Sequence, residues 1–312
     1  MQQRRRCFFC HSPVMRKRLP LTLLLLALIG CAPVRHAYYL SPTNASSHPY
    51  HAIPMKNDSL KSAWYGSVLY STGTSNDLGN DNLWSFEARI HRSHNFSIFQ
   101  AYYGLNVVMG NYDVSDYYRA NYDYRGGLFG IYPTYFDTTY HIQKSSDFYG
   151  TYGFSGGINF VIPFDNRRGG SGEWRALGLE TSVQQEFGNY LQFRKTLPDT
   201  VADVIFRKSV TGSWGIYTEI VGKNRHNTEF GFRIAYGRMF NPKSNFSVQT
   251  YFANNNSVID NSIPISFPLA YLSMAFHVTK SQITGFFQLT GGTYSTCFQT
   301  GVNYRIGKGK KK

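Results

Sequence analysis

Phe148-Tyr-Gly-Thr-Tyr-Gly-Phe-Ser-Gly-Gly-Ile-Asn-Phe-Val-Ile162 decides the fold. Phe148, Tyr152, Phe154, Ile158, Phe160 and Ile162 share one parity, while Thr151, Gly153, Ser155, Gly157 and Asn159 take the other. Such period-two alternation is a β-strand with one apolar and one polar face. Trp84, Phe86, Ala88 and Ile90 alternate with Ser85, Glu87, Arg89 and His91 in the same way. So do Phe230, Phe232, Ile234 and Tyr236 against Glu229, Gly231, Arg233 and Gly237, and Phe298, Val302, Tyr304 and Ile306 against Gln299, Gly301, Asn303 and Arg305. Weaker runs at 63–72, 96–109, 173–187, 210–221, 265–278 and 282–290 bring the expectation to ten strands with no helix between them, and 246–253 could add another.

The spaces between these strands alternate short and long. That is the pattern of an up-and-down antiparallel transmembrane β-barrel, all-β, of about ten strands (eight to twelve), with short periplasmic turns and longer outer loops. The four short turns hold Arg92, Arg167, Arg168, Lys223, Arg225 and Lys280 against Asp165, a net of +5, whereas the first four long loops are net −2. Basic turns suit anionic headgroups. An Arg or Lys on the lipid face at the bilayer midplane costs about 2 to 4 kcal/mol, so the apolar parity must face outwards and the polar parity the lumen. Glu87, Arg89, Glu180, Gln184, Glu186, Glu219, Glu229, Arg233, Gln299 and Arg305 are then luminal, with room made by the glycines of 148–162 and 228–240. Arg238 falls on the outward parity near the outer end, where it can reach headgroup phosphates.

Composition agrees. The 312 residues include 24 Phe, 24 Tyr and 4 Trp, with only 16% charged, which excludes bulk disorder. Apart from Leu19 to Ile29 there is no continuous apolar run, which excludes a bundle of membrane-spanning helices.

The amino terminus reads as an export signal. Arg16, Lys17 and Arg18 precede the eleven-residue apolar region Leu19–Ile29, too short to span a bilayer. Met15 would make a conventional start. The formal charge of +14 falls to +8 once residues 1–31 are removed, and four of those charges are Lys308, Lys310, Lys311 and Lys312, so nucleic acid is not an expected partner. Residues 31–62 have the composition of a flexible tether, with Pro33, Pro42, Pro49 and Pro54 and no periodicity. The expected organisation is signal 1–30, anchor and tether 31–62, barrel 63–307 and basic tail 308–312.

The run Leu28-Ile29-Gly30-Cys31 resembles the bacterial lipoprotein box, which implies acylation of Cys31; an ordinary signal with a chance cysteine is the alternative. With Gly301-Val-Asn-Tyr-Arg-Ile306 looking like a closing barrel strand, the chain resembles bacterial outer-membrane β-barrel proteins, joined to a lipobox as in outer-membrane lipoproteins of Bacteroidota. That resemblance implies a Gram-negative outer membrane and a lipid anchor, with membrane lipid and lipopolysaccharide as neighbours. No acidic run that resembles a surface-export signal follows Cys31, which favours an anchor on the inner leaflet.

Chemistry is less marked. Cys7-Phe-Phe-Cys10-His11 has haem-attachment spacing but precedes the export signal, so no cofactor is expected. The histidines show no metal-site spacing, and no metal is expected. His91-Arg-Ser93 resembles the Ser/His pair of lipid A deacylase barrels, but falls at the periplasmic end. Asp113, Asp116, Asp123, Asp137 and His141 in the longest loop resemble the acids and histidine of omptin-like proteases, without an omptin motif. No catalytic residue is assigned. The loop 110–147 holds Tyr117, Tyr118, Tyr122, Tyr124 and Tyr132 among eight tyrosines, which suit binding of a surface glycan, peptide or protein; a membrane-interface girdle is the alternative. The functional expectation is a non-catalytic barrel in surface binding or envelope architecture. Its alternatives are a narrow channel and a membrane-embedded hydrolase.

Overall fold

The computed structural model describes residues 38–45, 48–55, 60–75, 81–127, 130–166, 170–198, 201–202, 204–240, 247–249, 262–264, 270–292 and 295–311. The signal segment, Cys31 and the Cys7/Cys10/His11 motif lie outside the described residues. In chain order the elements are β1 (Tyr38–Tyr39), α1 (Pro42–Ala45), β2 (Leu60–Ser75), β3 (Asp81–Asn95), β4 (Phe99–Val114), β5 (Tyr117–Gly127), β6 (Gly130–Ile142), β7 (Ser145–Asn166), β8 (Gly170–Phe187) and α2 (Asn189–Thr196). There follow β9 (Val204–Ile205), β10 (Val210–Lys223), β11 (Thr228–Met239), β12 (Ser247–Gln249), β13 (Ser262–Pro264), β14 (Ala270–Lys280), β15 (Ile283–Gly292) and β16 (Ser295–Lys311).

Ten of these strands close a barrel in the order β10-β11-β14-β15-β16-β2-β3-β4-β7-β8. Neighbours are antiparallel throughout, and β16 completes the ring on β2 with Phe298 opposite Thr72 and Ile306 opposite Trp64. Strand β7 pairs with β4 on one side and β8 on the other, as its alternation requires. Of the segment 246–253 only 247–249 are described, and these form β12, which pairs with β13 and not with the barrel. Several strands are longer than the sequence suggested: β2 begins at Leu60 and β7 runs to Asn166. At the outer end β2 runs on to Ser75 and β3 starts at Asp81, while β15 runs on to Gly292 and β16 starts at Ser295, so the first and last connections shrink to 76–80 and 293–294.

The two faces of the wall are inverted relative to a soluble protein. Val68 is 63% exposed and Leu105 61%, whereas Glu219 is 1% exposed and Gln100 0%. The four tryptophans all point outwards in two levels: Trp64 and Trp174 near the short-turn end, Trp84 and Trp214 near the other. Trp84 is paired with Thr72, so the levels are eight residues apart on β2. At about 3.3 Å per residue and a tilt of about 40°, this is roughly 20 Å along the barrel axis, close to the height of a bilayer's apolar band. Tryptophan at both edges of an apolar belt is the mark of a membrane interface. The fold is a transmembrane β-barrel.

Val68 lies midway between the two levels. Val68→Arg is expected to destabilise the folded barrel by about 2 to 4 kcal/mol, read from the urea midpoint of its heat-dependent gel shift. The same change in a water-facing wall would leave the midpoint in place.

Two features depart from simple alternation. In β8, Ala176 is an extra residue: Phe160 faces Leu177 but Val161 faces Arg175. This bulge switches the inward parity, so Glu180 and Arg175 both point into the lumen although they are five residues apart. The second departure is the expected tether, and it is a correction: over its described residues, 38–55 is buried rather than solvated.

Candidate functional site: the occupied lumen

Residues 48–55 (His-Pro-Tyr-His-Ala-Ile-Pro-Met) run through the lumen in extended form without joining a sheet. A buried backbone group left unpaired costs about 1 to 3 kcal/mol, so such a segment needs donors from the wall. The wall supplies them. Gln288 Nε2 donates to the His48 carbonyl at 3.0 Å, Arg89 Nη1 to that of Tyr50 at 3.4 Å, and His91 Nε2 to that of Ala52 at 3.0 Å. Arg175 Nη2 donates to the Ile53 carbonyl at 3.0 Å and Gln100 Nε2 to that of Pro54 at 3.0 Å. Asn95 Nδ2 reaches the carbonyls of Pro54 and Met55, each at 3.3 Å. Pro49 and Pro54 have no N–H to satisfy, which lightens the demand on the wall.

The side chains of the segment are held as closely. Tyr50 stacks on His277 with centroids 4.4 Å apart, and His51 stacks on Tyr102 at 4.4 Å. His51 Nε2 lies 3.0 Å from Arg89 Nη1 and 3.2 Å from Ser155 Oγ. As Arg89 can only donate, that nitrogen accepts and the ring proton sits on Nδ1.

Around the segment the luminal charges pair with one another. Arg175 lies 2.7 Å from both Glu173 and Glu219, and His277 Nε2 is 2.9 Å from the second Glu219 oxygen. Arg233 binds Glu180, which also accepts from the Tyr102 hydroxyl at 3.0 Å, and the Arg233 guanidinium lies 3.9 Å from the centre of the Tyr217 ring. Arg89 binds Glu87 on its own strand, and Lys223 lies 3.4 Å from Glu229. Arg305 is half-buried beside a cavity of about 460 Å³ at the short-turn mouth, which Tyr50, Ile53, Glu229 and His277 also line. Gly231 makes this packing feasible, because a Cβ there would fall 1.8 Å from the His277 ring.

The opposite mouth is closed by apolar packing. Tyr38, Tyr39 and Leu40 join Tyr112, Tyr149, Tyr190, Val204 and Phe206 in one buried cluster. β1 lies parallel to β9, and the Phe206 N–H donates to the Tyr39 carbonyl at 2.9 Å. Gly188, with φ of +114°, turns the chain from β8 into α2. Tyr190 on that helix stacks on Tyr112 at 4.0 Å, and Arg194 forms a buried pair with Glu186 at 2.5 Å. Burial pushes the Tyr190 phenol well above its ordinary pKa, so it stays neutral.

The groups singled out for chemistry are engaged otherwise. His91 and Ser93 both meet the Ala52 carbonyl, at 3.0 and 3.5 Å. His141 Nε2 lies 3.5 Å from Asp116 on the exposed outer end, and Asp113 accepts from Ser146 Oγ at 2.5 Å. Tyr117, Tyr118, Tyr122, Tyr124 and Tyr132 fall on the β5–β6 hairpin, as do Asp123 and Asp137. The side chains of these residues lie outside the description. Ser213 Oγ, His48 Nε2 and Glu180 follow one another as a hydrolase triad would, the first contact being 2.6 Å. However, Glu180 is 3.8 Å from His48 Nδ1, is held by Arg233 and Tyr102, and Ser213 is 3% exposed against the segment. This is a packing contact. Among the described residues no cluster of His, Cys, Asp and Glu could hold a metal ion.

Sequence reasoning missed the segment itself, along with Glu173, Arg175 and His277. One signal was present: Tyr38, Tyr39, Leu40, Tyr50, Ile53 and Met55 make 31–62 more apolar than a solvated linker needs to be.

No protein-family model matches the chain, and no curated protein matches it. Similar solved structures include the β domain of the Bordetella autotransporter BrkA, at 8% identity and a TM-score of 0.38, covering 79% of this chain and 100% of that one. Another is the translocator domain of the autotransporter NalP from Neisseria meningitidis, at 7% identity, a TM-score of 0.33, and coverage of 79% and 88%. The KdgM porin matches at 10% identity and a TM-score of 0.25, over 77% of this chain and 99% of that one.

Proposed function

We propose that the chain is a non-catalytic outer-membrane lipoprotein whose barrel, filled by its own amino-terminal segment, serves envelope architecture or surface binding. The observation that carries this reading is the match between luminal donors and the carbonyls of 48–55. The polar wall of the lumen is hydrogen-bonded to the chain itself, as suits a filled core more than a path for solutes. In this reading Cys31 carries the acyl anchor, lipopolysaccharide and phospholipid surround the belt, and the tyrosine-bearing β5–β6 hairpin meets a surface glycan, peptide or protein.

Purified protein in planar lipid bilayers is expected to insert without stable conductance steps. A narrow channel is the second reading, favoured by the cavity of about 460 Å³ at the short-turn mouth. Reproducible steps from the intact chain would make it the better one.

A further inference from the structure

The order of contacts along 38–60 gives the chain a direction. Tyr38 and Tyr39 pair with β9, which lies in the 188–209 connection between β8 and β10 at the long-loop end. His48 meets Ser213, three residues into β10 from that same end. His51 lies at the level of Arg89, in the body of β3. Pro54 and Met55 meet Asn95, the last residue of β3 before the 96–98 turn. The chain then reappears as β2 at the short-turn end, where Ser62 faces His94. It has therefore traversed the lumen from the long-loop mouth to the short-turn mouth before the first barrel strand begins.

We propose that the amino-terminal end of the exported chain leaves the barrel through the long-loop mouth, on the outer face of the membrane, and that the acyl group of Cys31 sits in the outer leaflet. The lipid part rests on the lipoprotein reading above; the threading stands without it. Barrels place their long loops outside and their short turns in the periplasm. Cys31 precedes Tyr38 by seven residues, a reach of about 25 Å when fully extended. The 48–55 segment already fills the lumen, so the short covalent link cannot return to the inner leaflet by the same route. The barrel would thus display its own amino terminus, and its closing would complete the outward passage of that end. This reverses the inner-leaflet anchor favoured by the absence of an acidic run after Cys31.

The test uses full-length protein in a Gram-negative host. An epitope is inserted between Pro33 and Val34 in one variant and between Arg225 and His226, in a short turn, in another. Intact cells are probed with a membrane-impermeant antibody, and both variants are labelled with radioactive palmitate. The 33/34 epitope is expected to be reached on intact cells and the 225/226 epitope only after lysis, with palmitate incorporated and lost in C31A. If the 33/34 epitope appears only after lysis, or the two patterns are exchanged, the proposal is overturned. Surface exposure without palmitate would keep the threading and remove the anchor, and with it the outer-leaflet lipid. Should the insertion block assembly, Val34→Cys probed with an impermeant biotin maleimide, against the unsubstituted chain as blank, gives the same readout.

Discussion

A chain lacking residues 38–55 is expected to conduct where the intact chain is silent. The deletion removes Tyr38, Tyr39 and Leu40 from the outer cluster and takes the 48–55 segment out of the lumen. Gln288, Arg89, His91, Arg175 and Gln100 would lose the carbonyls of 48–55 and take up water instead, while Asn95 would keep only that of Leu60. The wall should nevertheless stay closed, because its ten strands are paired all round and its charges chiefly hold one another: Arg233 with Glu180, and Arg175 with Glu173 and Glu219. Each lost hydrogen bond contributed about 0.5 to 1.5 kcal/mol net, so the shortened barrel should also lose its gel shift at a lower temperature. The measurement is single-channel recording, with the gel shift reporting that the barrel has formed. A folded but silent deletion variant would show that something other than this segment closes the bore.

The barrel was legible because lipid and a polar lumen impose opposite demands on alternate residues, and ten runs of that alternation stand in the sequence. Strand ends were less legible: β2 and β7 continue past the apolar belt, where pairing persists but the apolar signal stops. Parity also fails locally. A reading that places Glu180 inside puts Glu173 and Arg175 outside, and only the extra residue Ala176 brings all three into one lumen. A bulge leaves no compositional trace, since it changes the count and not the residue types. The segment 48–55 was harder still. Proline and histidine without periodicity describe a solvated linker equally well, because a chain served by wall side chains needs neither a period of two nor one of 3.6. The wall residues carried half of the information: luminal Gln100, Gln288 and Asn95 are donors that charge pairing alone does not require.

The most damaging single substitution is expected at Arg175. Its guanidinium lies 2.7 Å from Glu173 and from Glu219 and 3.0 Å from the Ile53 carbonyl, and all three ionic side chains are 1% exposed. Removing one partner of a buried ion pair costs about 3 to 5 kcal/mol, because the remaining charge has neither water nor a counterion. Here two carboxylates would lose their guanidinium at once, leaving His277 2.9 Å from Glu219 and the Gln100 amide donating to Glu173 at 3.3 Å. Arg175→Met, which keeps much of the side-chain volume, should therefore lower the stability by at least that amount. Replacing both acids as well, in R175M/E173Q/E219Q, should recover most of the loss, because a neutral cluster has no uncompensated charge to bury. Urea unfolding followed by the gel shift in lipid vesicles compares the intact chain, the single variant and the triple variant. A single variant within about 1 kcal/mol of the intact chain, the ordinary worth of an exposed ion pair, would mean that water reaches these carboxylates and that the lumen is wetter than its packing implies. A severe loss in the triple variant too would place the main contribution of Arg175 in its bond to Ile53, making that residue chiefly a clasp on the luminal segment.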